Sequence, residues 1–174
     1  MDKPALLMEY VEGETIKDCG KFPIKDFLHA SREIVSALSI LHAEGVMHNN
    51  LTTSNILYHK ETKTIKIIGF SSSSRFSVKN SFSGYRNLNQ NMKYAPPETW
   101  GRPNQLVDFR ADFYSLGVIF YYMISGNHPF VSEHTHDLLR KQIFDTEEAL
   151  SSVDSNIPAA LSDFVAKLMK KNAG

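Results

Sequence analysis

The stretch from Asp108 to Gly126 constrains the fold more than any other part of the chain, because it is apolar nearly all round. A helix that is hydrophobic on every face has to be surrounded by the rest of its domain, and Gly126 supplies its stop. One acid, Asp112, stands near the start of this run. A carboxylate there accepts hydrogen bonds from nearby backbone N–H groups, helped by the helix dipole. As a cap on its own helix such a carboxylate has no catalytic part.

A chain of 174 residues, 42% hydrophobic and 22% charged, is enough to bury one domain around such a helix. The formal net charge of +0 provides no basic field for nucleic acid or anionic lipid. No apolar run approaches the ~18 residues that span a bilayer, and Met1-Asp2-Lys3-Pro4 does not open a signal peptide. Cys19 is the sole cysteine, which excludes an internal disulfide and points to a reducing, cytoplasmic setting.

The packing partners are legible in order. Ala5 to Met8 reads as a short buried strand, and Glu9 to Gly13 as the turn after it. Phe27, Ala30, Ile34, Leu38 and Leu41 recur at helical spacing between Ile24 and His42, predicting an amphipathic helix ended by Gly45, with His42 in core packing. Asn55 to Tyr58 and Thr64 to Ile68 are β-prone runs that predict a hairpin. Ser71 to Tyr94 is rich in Ser and Asn without hydrophobic period, and reads as a long loop. Helices are expected over Asp137 to Phe144 and from Pro158, which suits a first turn, the second with a stripe of Leu161, Phe164, Val165, Leu168 and Met169. His134 and His136 fall in an expected loop and lack the partners of a metal site. The predicted fold is therefore mainly α with a small β-hairpin.

The chemistry is concentrated in His48-Asn49-Asn50-Leu51-Thr52-Thr53-Ser54-Asn55, followed by Gly69-Phe70-Ser71 and Ala95-Pro96-Pro97-Glu98. His48 and Asn55 keep the spacing of H-R-D-x-x-x-x-N, in which the Asp accepts the substrate hydroxyl's proton and the Asn holds magnesium. Asn50 stands at the base position, and an amide has no protonation equilibrium near neutral pH. A positioned base is worth ~100- to 10,000-fold in rate. Thr52 stands where a Lys steadies the transferred phosphoryl group, and Gly69 where D-F-G has its metal-binding Asp.

In this order the motifs resemble the C-terminal lobe of a eukaryotic-type Ser/Thr protein kinase over nearly the whole chain. Within that family, Pro97 to Asn104, Val107 to Gly117 and Ile157 to Ala173 are similar to the kinase-like domains that open large multidomain proteins bearing an ATPase-like module and a sensor histidine kinase. The resemblance implies a division into a remnant N-lobe strand and hinge, 1–13, and a kinase-like C-lobe, 14–174, truncated before its last helix. It would make Met8 the gatekeeper, turn the Glu9 C=O and Val11 N–H toward an adenine, and set Leu57 beneath the base, with Asn55 as the surviving ligand candidate. It places His48 and Phe70 in a hydrophobic spine, has Asp112 anchor the catalytic loop from below by the same hydrogen bonding as a cap, and leaves Glu98 without the Arg that pairs with it in the family. Asn50, Thr52, Gly69 and Ser71 depart from the pattern.

No intact catalytic set and no metal site are expected, and no cofactor, with ATP and magnesium entering only if another chain or segment completes the site. The favoured expectation is a degenerate kinase-like domain, a pseudokinase fragment acting on a protein partner as an interaction or regulatory module in signalling. Two alternatives stand beside it. One is a Ser/Thr kinase or ATP-binding protein completed by a missing N-lobe; the other is a non-functional truncated gene product with an exposed, aggregation-prone edge at Ala5 to Met8.

Overall fold

In a computed structural model, residue 7 and residues 9–75, 92–99 and 108–171 are described. Helix α3, Arg110–Ser125, is the axis of the molecule, with twelve of its residues buried. Its C-terminal Gly126 takes a left-handed φ of 80°, and its N–H closes on the Tyr122 carbonyl. The other elements wrap this helix as its composition demands.

On one side lies α2, Ile24–Ala43, which turns Phe27, Ala30, Ile34 and Leu38 into the core. Phe27 meets Phe120 of α3 edge to face, ring centroids 5.3 Å apart. The chain leaves α2 through Gly45 at φ 70°, a left-handed turn that costs glycine little. On the other side, α6, Ala159–Leu168, packs against Gly117 of α3 so closely that a Cβ there would lie 2.6 Å from Met169 Cγ and 2.9 Å from Leu168 Cβ. Pro158 precedes this helix as its N-cap residue. Val165 and Met169 are buried, but Phe164 is 49% exposed, so it does not belong to the packed stripe.

The predicted hairpin forms from β3, Ile56–His59, and β4, Thr64–Ile67. Its free edge is taken by β1, Glu14–Thr15, which pairs antiparallel with Tyr58 and Leu57. Gly13 precedes β1 at φ 145°, and a Cβ there would come within 3.1 Å of the Tyr58 carbonyl oxygen. A helical turn, α1 (Ile16–Cys19), follows and buries Ile16.

Two further expectations need correction. The expected loop from Ser71 begins with order: a 3-10 turn at Phe70–Ser72 and then β5, Ser74–Arg75, paired with β2, Val46–Met47. A two-residue strand is too short to show a hydrophobic period. His136 lies on a helix rather than in a loop, because α4 runs Thr135–Phe144 with His134 at its N-cap position. A further turn, α5, spans Leu150–Val153. Met8 and the strand expected at Ala5 to Met8 lie outside the described residues.

Candidate functional site

The site is built where the chain after β2 crosses the start of α3. Asp112 is 1% exposed, and its carboxylate collects donors from two elements. Oδ2 accepts from the His48 backbone N–H at 2.9 Å, and Oδ1 from the Asn49 N–H at 2.9 Å. His42, from the last turn of α2, brings Nε2 within 2.9 Å of Oδ2 and packs its ring edge-on against Phe113. His42 is therefore more than core packing. The Asp112 bonds go to His42, His48 and Asn49, and the Arg110 N–H at the helix start is taken by Asp108 Oδ1 at 2.9 Å, so the Asp112 carboxylate holds the loop and not its own helix end.

His48 extends the frame. Its Nδ1 accepts the Asn50 N–H at 3.3 Å, which leaves Nε2–H to donate to the Ile68 carbonyl at 3.0 Å. This is a neutral imidazole, and burial pushes its pKa below the ordinary value against the opposing pull of the Ile68 carbonyl and Asp112. The ring lies 4.9 Å from that of Phe70, which is 44% exposed on its other side.

Asn50, Asn55 and Gly69 meet beside this frame. Asn55 Nδ2 donates to the Asn50 carbonyl at 2.8 Å. Gly69 is left-handed at φ 82°, and a Cβ on it would lie 2.8 Å from Asn55 Oδ1. Thr52 is buried, and its carbonyl accepts the Asn55 N–H in a 3-10 turn over Thr53–Asn55. Thr53 reaches further, with Oγ1 2.6 Å from the Tyr94 hydroxyl, while Ser115 of α3 donates to the Tyr94 carbonyl at 2.8 Å. Sequence patterns alone missed His42, Thr53, Tyr94 and Ser115, because their partners are distant in the chain.

The remaining predicted positions lie apart from this cluster. Glu9 is exposed, Val11 and Leu57 are partly buried, and Leu57 pairs across β3 with Thr15 and Lys66. Glu98 lies in a 3-10 turn at Pro97–Thr99, with its side chain outside the described residues. At the magnesium position of the kinase pattern stand a glycine without side chain and Asn55, whose Nδ2 donates to a carbonyl and whose Oδ1 is the one side-chain oxygen the pair could offer a cation. Hard cations favour carboxylate oxygen, and this pair supplies none, so it fits magnesium poorly. Among the described residues no group of three or more His, Cys, Asp or Glu could hold a metal, and no helix is long and apolar enough to cross a membrane.

Comparison with known proteins agrees with this frame. The chain is 35% identical over 161 residues to Histidine protein kinase 1 of Candida albicans, covering 87% of this chain and 6% of that protein. It is 26% identical over 182 residues to serine/threonine-protein kinase PksC of Streptomyces coelicolor, covering 99% of this chain and 32% of the relative. It is 29% identical over 182 residues to the CaM kinase-like vesicle-associated protein of Xenopus laevis, covering 95% of this chain and 46% of the relative. The chain thus spans less than half the length of each of these relatives. The protein kinase domain model matches residues 1–174, and with a loop frame held at His48, Asn55 and Asp112, the chain belongs to the protein kinase domain family.

Proposed function

We propose that this chain contributes the C-terminal-lobe part of a protein kinase domain that has kept the kinase frame and lost phosphotransfer, and that it serves cytoplasmic signalling as a docking or regulatory module for a protein partner. One observation carries the reading: Asp112 and His48 hold the catalytic loop in place while its reactive positions are Asn50, Thr52 and Gly69. An amide cannot take the proton of a substrate hydroxyl. Thr52 is buried and carries no cation for a phosphoryl group. Gly69 and Asn55 offer no carboxylate for magnesium. The frame without the chemistry suits a surface that binds, because the buried network fixes loop positions at no catalytic gain.

The test is a thermal melt of the chain with and without magnesium and ATP, run beside a phosphotransfer assay on a generic protein substrate. Binding to the native state must raise the midpoint. A cooperative transition unmoved by nucleotide, without transfer, is the expected result. A magnesium-dependent rise of several degrees, or phosphate transfer lost on Asn55→Ala, would overturn the proposal and restore the kinase reading.

A further inference from the structure

Asn49 joins parts of the chain more than twenty residues apart, and the manner of the joining has a consequence for how the segment after Phe70 is controlled. Its backbone is left-handed, φ 61°, a conformation asparagine tolerates better than most side chains. With its N–H fixed on Asp112, the side chain reaches the Ser72–Arg75 stretch, where Nδ2 donates to the Ser72 carbonyl at 3.0 Å and to Ser74 Oγ at 2.9 Å. A carbonyl only accepts, so Nδ2 must lie on that side. Among the described residues Oδ1 has no hydrogen-bond partner, so the bonds of this side chain are all made by Nδ2. Ser73 Oγ adds a bond to the His48 carbonyl at 3.3 Å. The β2–β5 ladder beside them is two residues long and could not hold the stretch alone.

We infer that Asn49 is a clamp that fixes Ser72–Arg75 against the loop after β2 through neutral hydrogen bonds, so that this stretch is held without a metal ion or a phosphate group. Every partner in the clamp is an amide, a hydroxyl or a carbonyl. Its strength therefore changes little with salt, and no bound ion is required to complete it. The inference does not rest on the loss of phosphotransfer, since an active enzyme with the same clamp would be held in the same way.

Hydrogen exchange of the intact chain, read amide by amide, tests it in the wild type, Asn49→Gly, Ser74→Ala and the double variant, each with and without magnesium and ATP. Glycine keeps the left-handed turn and removes both donors. In Asn49→Gly the amides of Ser74 and Arg75 should exchange about tenfold faster while those of α3 stay unchanged. Ser74→Ala should give a smaller local acceleration, and the double variant should equal Asn49→Gly because the shared bond counts once. Unchanged exchange at Ser74 and Arg75 in Asn49→Gly, or acceleration spread evenly into α3, would overturn the clamp. If Asn49→Gly does not fold, unchanged local exchange in Ser74→Ala does the same. Slower wild-type exchange at Ser74 and Arg75 with magnesium and ATP would overturn its independence of ligand, and would do so whatever the variants show.

Discussion

Asp112 concentrates more of the site's organisation than any other side chain. Two buried backbone N–H groups and the His42 ring converge on it, and all three lose their acceptor together if it is removed. Each buried donor left unsatisfied costs about 1–3 kcal/mol, so Asp112→Ala should lower stability by about 3 kcal/mol or more. Asp112→Asn is the more telling change. It preserves volume but turns an NH2 group toward one of the donors, so it should lose nearly as much. Urea denaturation followed by circular dichroism measures both: the midpoint should fall with little change in slope. Loss confined to the alanine variant would mean that space rather than the carboxylate matters. At this scale the sequence was legible only in part. Asp112 stands out as a lone acid in an apolar helix, and Asn50 and Gly69 as departures from a known spacing. His42 does not stand out, because a histidine at an apolar helix face looks the same whether it packs or bonds. Asn49 is equally silent, since its two acceptors, Ser72 and Ser74, lie in a stretch with no periodic signal.

Among the elements, the crossing of α3 and α6 is the tightest contact that the glycines reveal. Gly117 lets the two helices approach until a Cβ would overlap Leu168 Cβ and Met169 Cγ. Leu168 Cβ is tied to its own backbone and cannot swing away as a side-chain tip could. Gly117→Ala should gain about 1 kcal/mol of helix propensity and lose up to about 3 kcal/mol by overpacking. The net loss should be about 2 kcal/mol, measured from the same denaturation curves. A stabilised variant would show that α6 moves aside freely. The helices themselves were readable because burial writes its period into them: Phe27, Ala30, Ile34 and Leu38 for α2, and an all-round apolar surface for α3. The short strands were not. Glu14–Thr15, Val46–Met47 and Ser74–Arg75 are strands only because a partner lies beside them, and two residues cannot carry an alternation. Phe164 shows the opposite failure: helical spacing put it on the apolar stripe, yet about half of it is exposed.

Across the whole molecule, two imidazoles tie stability to pH in one direction. His128 packs between Tyr94 and Tyr122, with ring centroids 5.1 Å from each, and joins the 92–99 stretch to α3. Its Nδ1 is buried and has no hydrogen-bond partner among the described residues, and burial, with the nearby Lys93 charge, lowers its pKa from 6.5 to about 4. His48 is lowered in the same direction, chiefly by burial, and its protonation would set a new N–H against the N–H of Asn50. An imidazole with a native pKa below its unfolded value is protonated more readily after unfolding. The stability it contributes is complete above about pH 6.5 and is lost progressively as the pH falls toward the native value, for His128 toward about 4. Asp26, held below 3.8 by its bond to Lys63, and Asp154, held below 3.8 by Asn156, keep their contributions down to about pH 5. Melting at pH 7 and pH 5 should therefore differ by roughly 3 to 6 °C, after allowance for the exposed part of the His128 ring. His128→Phe keeps the aromatic contacts and removes the titration, so its melting temperature should fall less over the same interval. An equal fall in wild type and His128→Phe would locate the sensitivity in His48 and the loop frame it supports. A midpoint unchanged between pH 7 and pH 5 would mean that neither ring is held neutral by the fold.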